Sequence, residues 1–319
     1  MHRCLLPLFV LVVASCDAEQ APVRHEPVVV YADNSDGEYL DELFAGFTAA
    51  SKIPVTVELD SSANHAKNLI FNIGSPPADV FLSSSVADLW AAADEGALRP
   101  IMAVNLAQVP EPLRDADKLW TALRFQQSII VHRSNAAELP ADVDEFANRR
   151  YQGRICLGTS ELPTNRLLLA MLIDLHGRKE TERMVRHWMQ NLAAAPFQDE
   201  QELLDAVASG ECEFAIVSGW QAASSLHSQA DIGVQVIEPA TSYIQIQGIG
   251  VARHSRYPDA AQALVQWLLD EQVNQRHAEA VGSIPVVGRE FTAGVGPAPA
   301  VAGWRDEEAK LLAERAGYR

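Results

Sequence analysis

The chain has 319 residues, 48% hydrophobic and 21% charged, with a mean hydropathy of −0.03, the profile of a globular protein long enough to fold without metal or disulfide staples. Twenty-five Lys and Arg against 42 Asp and Glu give a net charge of −17. That surface is repelled by phosphate backbones and by anionic lipid, which argues against nucleic acid as a partner; the sign of an internal pocket is left open.

The N-terminus carries the most specific local signal. Met1-His2-Arg3 is a short basic start, residues 5–13 form an apolar run broken only by Pro7, and Val13-Ala14-Ser15 puts small residues before Cys16. The run is too short to anchor in a bilayer and reads as a signal-peptide core over residues 1–15. Val-Ala-Ser-Cys resembles the bacterial lipobox, in which the cysteine is acylated and becomes the first mature residue; the alternative is an ordinary cleaved signal peptide. Asp17 resembles the enterobacterial signal that keeps a lipoprotein on the inner membrane. Residues 16–26 then serve as a lipidated tether. The expected location is the periplasmic face of the inner membrane, or the extracellular face in a Gram-positive organism.

The rest of the chain alternates strand and helix periods. Residues 28–31 form an apolar strand, and Leu40, Leu43, Phe44 and Phe47 mark one buried helical face. Residues 55–59 alternate as a strand, Asp60-Ser61-Ser62 offers a cap for the next helix, and residues 78–82 form a third strand. Val86, Leu89, Trp90 and Ala93 stripe a helix closed by Gly96. The layout begins again after residue 150, with strands at 154–157 and 214–217 and helices between them. Two long strand-like stretches, 125–131 and 243–252, could join two such units. The expected fold class is therefore α/β with two lobes, each a mostly parallel sheet flanked by helices, joined by two hinge strands. The division assigns residues 27–127 and 249–319 to the first lobe and 128–248 to the second. Residues 294–303 read as a loop before a last helix near 307–316.

Export leaves Cys156 and Cys212 as a candidate disulfide, with two buried thiols as the alternative.

Several segments in order resemble the ferric-iron-type solute-binding proteins of ABC transporters, within the class II periplasmic-binding-protein fold. They are Val28-Val-Val-Tyr31, Pro77-Ala-Asp-Val-Phe-Leu82 with Glu95-Gly-Ala-Leu98, Tyr151-Gln-Gly-Arg-Ile155, Gly210-Glu-Cys-Glu-Phe-Ala-Ile-Val217 and Pro258-Asp-Ala-Ala261. The resemblance implies an ABC permease with its ATPase as partner, hinge closure on a small solute, and a monomer tethered to the membrane through Cys16. It also implies iron held by phenolate and carboxylate oxygens, often including adjacent tyrosines. Here the loop after Val217 reads Ser218-Gly219-Trp220-Gln221, the third strand is followed by Ser83-Ser84-Ser85, and the first loop is Asp33-Asn34-Ser35. Hydroxyls, an amide and an indole are poor ligands for an unchelated trivalent ion. Thr159-Ser160 keeps the start of the family's anion-binding segment, but Glu161 follows it.

The expected ligand is therefore an uncharged, cationic or zwitterionic organic molecule, or a chelated metal. Asn34, Ser35, Ser62, Ser84, Thr159, Ser160 and Gln221 would hydrogen-bond it at the carboxyl ends of the strands, and Trp220 would stack on it. The plainer readings make Ser62 and Ser160 helix caps and Trp220 a packing residue. No catalytic motif or zinc-type spacing appears, so neither an enzyme nor a cofactor is expected. A ligand-sensing protein uncoupled from transport is the alternative function.

Overall fold

The structure is a computed structural model that describes residues 26–34, 37–74, 77–226, 231–237, 243–288 and 301–319. Cys16 and Ser35 lie outside the described residues, as do the signal-peptide segment and most of the tether.

The first lobe opens with β1 (Val28–Asp33), α1 (Gly37–Ser51), β2 (Val55–Asp60), α2 (Ser62–Phe71), β3 (Val80–Ser83) and α3 (Val86–Asp94). β1 lies between β2 and β3 and pairs parallel with both, Val30 opposite Val57 and Val80. The helical stripe of α1 is buried as its period requires: Leu40, Leu43, Phe44 and Phe47 are each under 7% exposed. Ser61 caps α2 by accepting from Asn64 N, and Asn72 ends it in the left-handed region, where Asn is tolerated better than most side chains.

After the two-residue β4 (Leu98–Arg99), the chain enters β5 (Trp120–Arg133). The first half of β5 pairs antiparallel with β9 (Ile244–Ala252), and its second half with β7 (Phe214–Ser218) and β8 (Ile232–Val236). β9 in turn pairs antiparallel with β3. These two strands are the expected connectors: the order β2-β1-β3-β9-β5-β7-β6 makes them the junction between the parallel groups β2-β1-β3 and β6-β7.

In the second lobe β6 (Ile155–Cys156) is followed by α4 (Pro163–His176), α5 (Arg178–Asn191) and α6 (Glu200–Ser209), and β7 leads into α7 (Gly219–Leu226). Phe146, Tyr151, Trp188 and Phe214 form an aromatic cluster beneath these helices. Cys156 and Cys212 are bridged, their Cα atoms 5.9 Å apart.

After β9 come α8 (Pro258–Leu268), α9 (Glu271–Ala280), β10 (Ile284–Pro285), α10 (Val301–Trp304) and α11 (Asp306–Ala316). The sequence division put all of residues 249–319 in the first lobe. The C-terminal end departs from that: α10 touches α3 and α4, and α11 packs on α4 and α5. The reason is that α11 buries Ala309, Leu312 and Ala313, while Arg166 pairs with Asp306 and Arg305 with Asp174. Tyr318 donates from its hydroxyl to Gly158 O at 2.7 Å.

Candidate functional site

The carboxyl end of β1 turns out of the sheet at Asp33, beside the first turn of α2 and the end of β3. Asp33 Oδ2 accepts from Ser62 N at 3.0 Å, from Ser62 Oγ at 2.8 Å and from Ser84 Oγ at 3.0 Å. A carboxylate at a helix N-terminus, taking a backbone N–H and two hydroxyls, is held by charge-assisted bonds and by the helix dipole. Ser62 and Ser84 are therefore brought together as expected, but their hydroxyls point at Asp33, and the cap of α2 is Ser61. Asn34 is exposed beside them. Ser83 turns back on its neighbour, donating to Ser85 O and accepting from Ser85 N, and Ser85 makes no side-chain cap of α3.

The crossing strands form the floor. Gln126 of β5 donates to Gln245 Oε1 of β9 at 3.0 Å, and Gln245 donates to Ser84 O at 3.4 Å. Arg124 lies two residues from Gln126, hence on the same face of β5, and is 3% exposed. Its Nη1 donates to Ser283 Oγ at 3.3 Å.

The second lobe repeats the motif of a fixed carboxylate. Glu200 opens α6, after the cap Asp199. Its Oε1 accepts from Thr164 Oγ1 at 2.5 Å, and its Oε2 accepts from Ser218 N at 3.0 Å and Ser218 Oγ at 2.6 Å. Ser218 Oγ also accepts from Gln221 N at the start of α7. The expected donors Thr159 and Ser160 are buried on the neighbouring loop, tied down by Thr159 N to Phe197 O and by Asn165 Nδ2 to Thr159 O. Glu161 stands exposed at the rim. The side chain of Gln221 is directed to Gln201 Oε1 at 2.8 Å.

Trp220 is 42% exposed and reaches the first lobe. Gly282, in the turn after α9, lies under the indole so closely that a Cβ there would sit 3.1 Å from Trp220 Cδ1. Gly219 is pressed against the floor in the same way, since a Cβ there would come 3.0 Å from Gln127 O.

Asp33 and Glu200 escaped the sequence reading. Each bonds to residues far along the chain, 29 and 51 positions away for Asp33 and 18 for the Ser218 contact of Glu200. Glu200 also looks like any first-turn helix carboxylate. No local signal marked them: the strand expected at residues 28–31 runs on to Asp33 in the structure.

Four of the chain's six tyrosines are tied to protein partners. Tyr31 stacks on His65 and Tyr39 on His277, Tyr151 bonds Glu145, and Tyr318 bonds Gly158. Burial raises the Tyr243 hydroxyl far above its ordinary range, with Asp144 and Asp142 adding to the effect. Tyr257 precedes α8. Burial pushes His277 down to about 3, with the positive charge of Arg124 helping, so its imidazole is neutral. Among the described residues no group of three His, Cys, Asp or Glu side chains is arranged to hold a metal ion, and no helix is long and apolar enough to cross a membrane. What these walls offer is hydrogen-bonding oxygens, two fixed negative charges and one indole face.

A sequence model described as bacterial extracellular solute-binding protein matches residues 42–289. Iron uptake protein A1 of Synechocystis sp. is 25% identical over 245 residues, spanning 72% of this chain and 68% of that protein. In solved structures the same fold recurs at 21% identity in the ferric binding protein from Campylobacter jejuni, with a TM-score of 0.80 over 92% of this chain and 100% of that one. It recurs at the same identity and coverage, with a TM-score of 0.79, in a Trichodesmium protein solved in complex with iron and citrate.

Proposed function

The chain belongs to the bacterial extracellular solute-binding protein family, and we propose that it is the capture component of an ABC importer, held at the outer face of the membrane by a lipid on Cys16. In this reading a small solute enters between the lobes, which close about β5 and β9 and present the cargo to a permease and its ATPase. The lobes carry their polar groups at the carboxyl ends of β1, β3 and β7, the usual place for ligands in open α/β sheets.

The observation that carries the reading is the facing pair of polar walls across the crossing strands. Ser84 is bonded to the floor through Gln245, and Trp220 reaches over from the second lobe to Gly282. A groove built from both lobes binds by closing. We take the cargo to be an organic solute or a chelated metal, because the relatives named for iron share the fold while this chain has no tyrosine in the turn after β7.

Native mass spectrometry of the chain purified without denaturation, followed by tryptophan fluorescence and small-angle scattering with the identified solute, tests the proposal. A co-purified small molecule that contracts the protein and shifts the Trp220 emission is expected, and W220F should abolish most of that shift. Tight binding of bare ferric ion with a tyrosinate colour would sink the assignment of cargo. Absence of any solute that alters the scattering would sink the capture function itself.

A further inference from the structure

Two carboxylates, one in each lobe, occupy the positions that an anionic ligand would take. In the first lobe Asp33 Oδ2 collects the leading N–H of α2 and two serine hydroxyls. In the second, Glu200 Oε2 collects the N–H and hydroxyl of Ser218, where β7 passes into α7, and its Oε1 collects the hydroxyl of Thr164 in the first turn of α4. Backbone N–H groups at helix starts, assisted by hydroxyls, are the standard receptor for phosphate, carboxylate and related oxyanions. In this chain those receptors are filled from within.

We infer that Asp33 and Glu200 are built-in counter-anions that set the specificity of the cleft, excluding oxyanions and anionic chelates and leaving it to cationic or neutral solutes. The inference rests on the proposed function and narrows its cargo. An oxyanion approaching either wall finds the best donors already taken, and it meets a like charge in a medium of reduced dielectric. Glu161 at the rim adds a third negative charge. Against these three stand Arg124, buried and serving the floor through Ser283, and Arg166, which lines a cavity beside Gln245 but is paired with Asp306. A cation gains from the same field, and a neutral solute is indifferent to it. Hydroxyls whose protons point at Asp33 and Glu200 still present lone pairs, which suits a ligand that donates hydrogen bonds.

Removing either carboxylate should turn its position into an oxyanion site. D33A frees the N–H of Ser62 and one of the Ser62 and Ser84 hydroxyls, which lie 3.1 Å apart and can bond each other. E200A frees the N–H and hydroxyl of Ser218 and the hydroxyl of Thr164. The experiment is isothermal titration of wild type, D33A and E200A with inorganic phosphate and with citrate, backed by circular dichroism to establish folding. The expected result is at least about tenfold tighter binding of one of these anions by each alanine variant than by wild type. Wild-type binding of phosphate or citrate as tight as that of the variants would overturn the inference. So would folded D33A and E200A that gain nothing, and if one variant does not fold the other decides. Failure of the capture function shows separately, as wild type that responds to no solute in scattering or fluorescence.

Discussion

Removing the Cys156–Cys212 bridge should destabilise the protein by an amount that the chain topology sets. The bridge closes a loop with a sequence separation of 56 residues, and the chain-entropy relation gives about 4 kcal/mol for a loop of that length. The C156S/C212S double variant, which leaves no unpaired thiol behind, is the cleanest perturbation. Both positions are buried, at 0% and 3% exposure, so replacement by a hydroxyl adds a small further cost rather than a gain. How the loss appears in a melting curve depends on what unfolds together. With an unfolding entropy of about 2.1 cal/mol/K per residue, cooperative melting of the whole mature chain turns about 4 kcal/mol into a drop in Tm of about 6 °C. Separate melting of a second lobe of about 120 residues turns it into about 16 °C. Calorimetry of wild type and the double variant, and of wild type with and without reductant, distinguishes the two. A loss below about 1 kcal/mol, or a reduced wild type that melts with the oxidised one, would refute the reasoning.

Asp88 gives a pH signature. Burial raises its carboxyl to about 6, with Asp306 and Asp33 adding to the rise and Arg166 and Lys310 opposing it. A folded-state value above the unfolded one means the folded protein binds this proton more tightly, so Asp88 costs stability above pH 6 and the cost is relieved as pH falls toward 4. Between pH 7.5 and 5, urea unfolding of wild type should gain about 1–1.5 kcal/mol relative to D88N; parallel profiles would show that Asp88 is not desolvated. Gly303→Ala should cost about 1–3 kcal/mol in the same assay, because the added Cβ would lie 2.6 Å from both Cβ and Cγ of Trp90. An unchanged midpoint would mean that α10 does not press on α3.

The frame of the molecule was legible because its signals are local. The stripe of α1, the alternation of β2 and the two long apolar stretches that became β5 and β9 each declare themselves within a dozen residues. α9 went unread for a physical reason: its buried face carries Asn274 and His277 along with Val273 and Ala278. Asn274 satisfies three backbone groups, donating to Leu123 O and accepting from Val286 N and Val287 N, so a polar side chain does structural work at a position where a hydrophobic stripe would be sought. β4 and β10, two residues each, offer no period at all. In the proposed site, Ser62, Ser84, Thr159, Ser160 and Trp220 are candidates that follow from strand ends, whereas Asp33 and Glu200 depend on partners that only tertiary folding supplies.

The C-terminal segment bears on the lobe motion proposed for capture. Among the described residues, the polar ties of α11 and its flanks to other elements run to the second lobe: Asp306 to Arg166 of α4, Arg305 to Asp174 of α4, and, just beyond the helix, Tyr318 to Gly158. α10 is continuous with it and lies against both α4 and α3. If the lobes rotate about β5 and β9, the ion pairs hold α11 to α4, and the contact that must give is the apolar one between α10 and α3, where Gly303 meets Trp90. Asp88 sits on α3 at this seam and feels Arg166, Asp306 and Lys310 across it. Parting the seam would return Asp88 to water and its carboxyl toward the ordinary range, so the arrangement with the seam joined is the better proton binder. Acid then favours the joined seam and base its parting, through a group that also feels Asp33 and so ties this contact to the first-lobe wall.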